Sequence, residues 1–247
     1  MSEVLFSVED GVAVIALNAP ERRNAFTAEM VRELLEACAA ADADESVGAV
    51  VVRAEGESFC SGAHRATLAD AGRDPARPDN FKALGHTYNA FVRVGELQAP
   101  TIAAVRGHAV GAGVNLMLAT DIRIVAEGAR IMTGFLRIGI HPGGGHFALL
   151  GRLAGREAAA AMSLFGDEID GRRAAELGLA WEALPEAQVE RRALELARRA
   201  ARDPELARAA ARSLRLELGP PAIPWAAALE AEKAVQMWSL RRQSKDE

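Results

Sequence analysis

Apolar residues fall in short strand-like blocks over the first half of the chain and recur at helical spacing over the last third. Leu5 to Val8 and Val12 to Leu17 flank the turn Glu9-Asp10-Gly11 and predict two short strands. Pro20 and Glu21-Arg22-Arg23 form a loop. Thr27 is a suitable N-cap for a helix to about Asp42, with Met30, Val31, Leu34, Leu35 and Cys38 on one face. The β-branched run Val47 to Val52 is a buried strand, and strand–helix–strand order implies a parallel pair with a crossover helix.

Residues 54–80, rich in Gly, Asp, Arg and Pro, read as a long, partly mobile loop. A helix is expected from about Phe81 to Leu97, a strand over Thr101 to Val105, and a short buried helix over Gly111 to Ala119. Ile122 to Val125 and Arg130 to Thr133 are further strands, and Gly143 to Gly145 lead into a helix over Phe147 to Leu153. From Arg156 onward the pattern is almost wholly helical, ending in a helix over Pro224 to Leu240. The result is an α/β fold with a helical C-terminal region.

Composition narrows the function. Half of the 247 residues are hydrophobic, and the net charge of −5 comes from interspersed acidic and basic residues. No basic stripe suits a nucleic acid. Two cysteines without a CxxC pattern suggest neither disulfides nor a zinc site, so no metal is expected. The first residues lack the basic, then apolar, order of a signal peptide, and no apolar run approaches the ~20 residues that span a bilayer. These features point to a cytoplasmic protein that does not engage membranes.

Three glycine-containing turns follow strands: Phe59-Cys60-Ser61-Gly62-Ala63-His64, then Gly107 to Asn115, then Gly139-Ile140-His141-Pro142-Gly143-Gly144-Gly145. Small residues let a ligand approach the backbone, and a turn entering a helix leaves N–H groups unpaired. Two such turns can aim two N–H groups at one developing oxyanion, each typically worth about 10²–10³ in rate. A dinucleotide reading of Gly111-Ala112-Gly113 fails, because Leu116 stands where the third glycine belongs.

Together with Pro20-Glu-Arg-Arg-Asn24-Ala25-Phe26 and Gly178-Leu179-Ala180, these turns resemble the crotonase (enoyl-CoA hydratase/isomerase) superfamily, in order from Val12 to about Pro185. The resemblance implies a crotonase-like spiral of ββα units over residues 1–185. Residues 186–247 would form a helical region for trimerisation and pocket cover, in a homotrimer or dimer of trimers. It further implies an acyl-CoA thioester as ligand, with coenzyme A as part of the substrate and no separate cofactor, in fatty-acid or related metabolism, with lyase or isomerase chemistry.

By motif position the oxyanion N–H groups fall on Ala63 and Ala112, with Ser61, Gly62 and Gly111 in the same turns. Arg22 is a partner for the coenzyme A phosphates, since guanidinium matches phosphate bidentately. The two glutamates of the family's hydratases are replaced by Asn115 and Phe135, neither of which can move a proton. General acid–base help is worth about 10²–10⁴ per group, so ordinary hydration should nearly vanish. His64 reads as a thioester or phosphate contact, or as a solvated loop histidine. His141, beside Pro142, is a candidate acid or base. Asn115 could hydrogen-bond substrate, and Phe135 reads as an apolar wall or as core. Two functions stay open: an enzyme with different proton-handling groups, or a non-catalytic acyl-CoA carrier or sensor.

Overall fold

A computed structural model of the chain describes residues 2–218 and 224–243. The hairpin of β1 (Val4–Glu9) and β2 (Val12–Leu17) turns on Asp10 and Gly11, at φ 51° and 72°. Helix α1 (Ala28–Ala43) begins where the Thr27 hydroxyl accepts the Met30 N–H at 3.0 Å. It crosses to β3 (Ala49–Ala54), which lies parallel to β2.

The chain then repeats one unit: a strand in a large sheet, a strand in a small sheet, then helix. The first unit is β3, β4 (Ser58–Cys60), α2 (Arg65–Arg73) and α3 (Pro78–Gly95). The second is β5 (Thr101–Val105), β6 (His108–Val110) and α4 (Ala112–Ala119). The third is β7 (Ile122–Ala126), β8 (Arg130–Met132) and α5 (His146–Leu164). β9 (Glu168–Asp170), α6 (Gly171–Glu176) and β10 (Glu182–Leu184) close both sheets, and α7 (Glu186–Ala200), α8 (Pro204–Glu217) and α9 (Trp225–Gln243) follow. The large sheet has the order β1-β2-β3-β5-β7-β10 and the small one β4-β6-β8-β9. This is the expected spiral of ββα units.

Both faces of the large sheet are covered, which explains its unbroken apolar runs. Val50 and Val52 join the core under α1, α3 and α4, while Ala49 and Val51 pack with Val189, Ala193 and Ala197 of α7. The parallel strands also carry the turns after β4 and β6 to the same end of the small sheet.

Residues 54–80 are not a long loop. They hold β4, α2 and the start of α3, because the His64 ring nitrogen caps Ala66 N–H at 3.3 Å and Leu68 and Ala71 supply an inner face. Helix α5 is interrupted at Gly155, whose φ of 79° is not helical, so the expected helix over Phe147 to Leu153 and the helical stretch from Arg156 meet there at a kink. Asp121 is a structural acceptor, taking the Thr101 N–H at 2.7 Å and pairing with Arg215 at 2.6 Å.

Asn24, fully buried at φ 53°, ties the first loop to the next unit. Its amide nitrogen donates to Glu55 O (2.9 Å) and Ser58 O (2.8 Å), and its oxygen accepts Ala19 N–H (2.8 Å). At about 1 kcal/mol per buried bond, Asn24→Ala should cost roughly 3 kcal/mol in denaturant unfolding; a loss under 1 kcal/mol would show that the loop holds without it.

Candidate active site

The turns after β4 and β6 meet at Gly62. A Cβ there would stand 2.8 Å from Val110 O and 3.4 Å from Ala112 N, so only glycine permits this approach. Gly113 is held as tightly, its missing Cβ falling 2.1 Å from Cys60 O. These contacts lock the start of α4 against the end of β4.

The same turns leave two donors over. Phe26 N–H donates to Gly62 O and His64 N–H to Phe26 O, so the bridge between Phe26 and Ala63 does not use the Ala63 N–H. Ala112 opens α4, where no preceding helical carbonyl exists. Among the described residues neither nitrogen donates a backbone hydrogen bond.

Both alanines line one cavity of about 570 Å³. Ser61, Gly62, His64, Gly111 and Phe135 line it too. Arg22, Arg23 and Arg65 supply positive charge, Arg23 and Arg65 being exposed. Arg22 is already engaged by Glu3 (2.5 Å) and Glu21 (2.8 Å), so as a phosphate partner it would have to share its charge. Among the described residues no Asp or Glu lines the cavity.

Two candidates sit elsewhere. His141 is not a lining residue; its Nδ1 donates to Pro142 O at 2.6 Å, which turns the ring to its own backbone. Asn115 is 1 % exposed and lies behind the wall, where it donates to Gly143 O (3.0 Å) and its oxygen meets His146 Nδ1 (2.7 Å). Its role here is to tie the third glycine turn to α4.

Several wall and support residues were invisible in the sequence. Leu84, Tyr88 of α3 and Gln236 of α9 line the cavity, with the Tyr88 hydroxyl donating to Gln236 Oε1. Burial raises the Tyr88 phenol well above its ordinary pKa. Glu232 of α9 accepts the Gly145 and His146 N–H groups at 2.9 and 3.1 Å, and burial pushes its pKa up to about 7. These partners lie some 86 residues apart in the chain, beyond any local pattern.

His146 is fully buried, and desolvation lowers its pKa to about 3. Burial raises the Cys60 thiol to about 12, which leaves it unreactive beside the turn.

Residues 7–239 match the family model described as "Enoyl-CoA hydratase/isomerase". A relative from Mycobacterium tuberculosis named "Probable enoyl-CoA hydratase" is 45% identical over 177 residues, covering 72% of this chain and 68% of its own. The 1,2-epoxyphenylacetyl-CoA isomerase of Escherichia coli K12 is 35% identical, covering 83% of this chain and 78% of its own. The crystal structure of an enoyl-CoA hydratase/isomerase from Xanthobacter autotrophicus superposes with a TM-score of 0.89 at 33% identity, covering 99% of this chain and 91% of that one. No described helix is long and apolar enough to cross a membrane.

The depressed His146 pKa has a stability consequence. The unfolded ring protonates near 6.5 and the folded ring near 3, so its contribution is full above pH 6.5 and is lost as pH falls toward 3. Between pH 6.5 and 5, unfolding free energy of wild type relative to His146→Gln should fall by roughly 2 kcal/mol, at about 1.4 kcal/mol per pH unit. Paired denaturation curves at the two pH values measure it, and a pH-independent difference would show that the ring is solvated.

Proposed function

The chain belongs to the enoyl-CoA hydratase/isomerase family, and we propose that its cavity binds an acyl-CoA thioester with the carbonyl oxygen between the N–H groups of Ala63 and Ala112. One observation carries this reading: two backbone donors without backbone acceptors, on turns that touch at Gly62, open into the same cavity. Backbone amides hold an oxyanion without titrating and need no reorganisation as charge develops. Arg22, Arg23 and Arg65 would meet the phosphates at the mouth, and Leu84, Phe135 and Ile140 would face the acyl chain.

The relatives bear on the ligand. The Escherichia coli protein acts, by its name, on a coenzyme A thioester, and a similar substrate class fits this cavity. Ordinary hydration does not fit, because activating water and protonating the α-carbon take positioned acid–base groups, and no carboxylate among the described residues lines the wall. The same absence favours a second reading, a carrier or sensor that binds acyl-CoA without turning it over. Under either reading the protein would work in fatty-acid or related thioester metabolism in the cytoplasm, as a homotrimer or dimer of trimers.

Ala112→Pro tests the oxyanion site, since proline is tolerated at the first helical position and replaces the N–H with a ring carbon that also fills the oxygen's place. Calorimetry with hexanoyl-CoA should show affinity falling toward that of free coenzyme A, with free coenzyme A binding unchanged. Equal weakening of both would place the thioester elsewhere. Wild-type hydration of crotonyl-CoA should be at least about 10²-fold slower than that of a two-glutamate hydratase assayed beside it; a comparable rate would mean that another pair of groups substitutes.

A further inference from the structure

His146 presents an unsatisfied acceptor whose protonation site can be read from its neighbours. The nitrogen of the Asn115 amide faces Gly143 O at 3.0 Å, and a carbonyl can only accept, so that end must be the NH₂. The amide oxygen therefore faces His146 Nδ1 at 2.7 Å and obliges it to carry the hydrogen. The lone pair is left on Nε2, which is buried and has no hydrogen-bond partner among the described residues. A buried polar atom left so calls for an explanation.

Its position supplies one. The His146 ring meets the Phe135 ring edge-on, with centroids 5.0 Å apart. Phe135 also lies against Gly111, whose missing Cβ would stand 3.7 Å from Phe135 Cζ. One ring thus touches both the imidazole and the turn that carries the Ala112 N–H. Phe135 stands on a short segment bounded by Gly134 and Gly139, both at φ 71°, with Leu136 and Ile138 exposed. Phe135 itself is buried and its carbonyl accepts the Ile138 and Ile140 N–H groups, so movement of its ring turns on the two glycines that bound the segment.

We propose that His146, held in one tautomer by Asn115, is the proton acceptor of this cavity and removes the α-proton of a thioester bound at Ala63 and Ala112 when the Phe135 ring swings aside. The inference rests on the thioester reading above. The α C–H bond breaks and its proton moves to Nε2. The electron pair passes through the α-carbon to the carbonyl oxygen, where the two N–H groups receive the enolate. With a 3-enoyl thioester the imidazolium returns the proton to the γ-carbon, the double bond moves into conjugation, and no co-reactant is consumed. One acceptor suffices for this shift, whereas hydration needs two groups. With the Phe135 ring closed, burial keeps the imidazole neutral and weakens it as a base; the enolate formed opposite would favour the imidazolium and restore its basicity as the proton moves. Ionisable groups near this end of α5 include Glu232 of α9, bound to the His146 N–H, Tyr88 of α3, and His141, whose ring lies 5.9 Å from that of Phe147.

The test supplies 3-hexenoyl-CoA and follows the ultraviolet absorbance of the conjugated 2-enoyl product, beside calorimetry with hexanoyl-CoA. Wild type should isomerise the probe. His146→Gln should lower kcat at least 100-fold with KM and hexanoyl-CoA affinity within about threefold, and Asn115→Leu should lower kcat at least tenfold by releasing the tautomer. Should His146→Gln not fold, His146→Phe keeps a ring in the same space and should give the same loss. Binding without isomerisation by wild type, or isomerisation that survives these substitutions, overturns the role of His146. Absence of hexanoyl-CoA binding by wild type would instead overturn the thioester reading.

Discussion

The contact on which the site depends is the approach of the Gly62 turn to the backbone of Val110 and Ala112. A methyl group at residue 62 would overlap the Val110 carbonyl, and one at Gly113 would overlap that of Cys60. Those two absences of a side chain let the β4 and β6 turns sit side by side. They also leave Ala63 and Ala112, whose nitrogens donate no backbone hydrogen bond among the described residues, on the lining of one cavity. Asn24 supports the arrangement from below by fixing the strand ends that lead into the first turn.

Behind this frame lies a layer of buried polar groups that joins α4, the third glycine turn, α5 and α9. Asn115 holds Gly143 and His146, Glu232 caps the start of α5, and Trp225 donates to Gly144 O at 3.2 Å. Burial pushes the ionisable members toward their neutral forms, lowering His146 and raising Glu232 and Tyr88. The layer therefore adds little fixed charge beside the cavity, whose charged lining is all basic and near the mouth.

That distribution bears on chemistry. A cavity with amide donors and no lining carboxylate is suited to gripping a carbonyl oxygen and poorly suited to activating water. The proposed role of His146 would reconcile an intact grip with the missing carboxylates, through a base stored one ring away from the site. The carrier reading needs no such movement, and isomerisation of the probe separates the two.

Much of this was legible in the residues alone. The hairpin, α1 with its Thr27 cap, the parallel strands and the family resemblance follow from local periodicity and from glycine turns in order, because turn geometry and amphipathicity are written within a few residues. Ala63, Ala112, Gly62 and Phe135, singled out by motif position, line one cavity. The helix over Arg65–Arg73 was hidden, since its polar sequence is helical through a histidine cap and packing against α9. His141 and Asn115 were put in the pocket by proximity to the motifs, yet side-chain direction is set by packing: His141 bonds to its own backbone and Asn115 turns to the Gly143 turn. Tyr88, Glu232 and Gln236 reach the site from α3 and α9, distant stretches that carry no local signal, and only the folded chain decides such meetings.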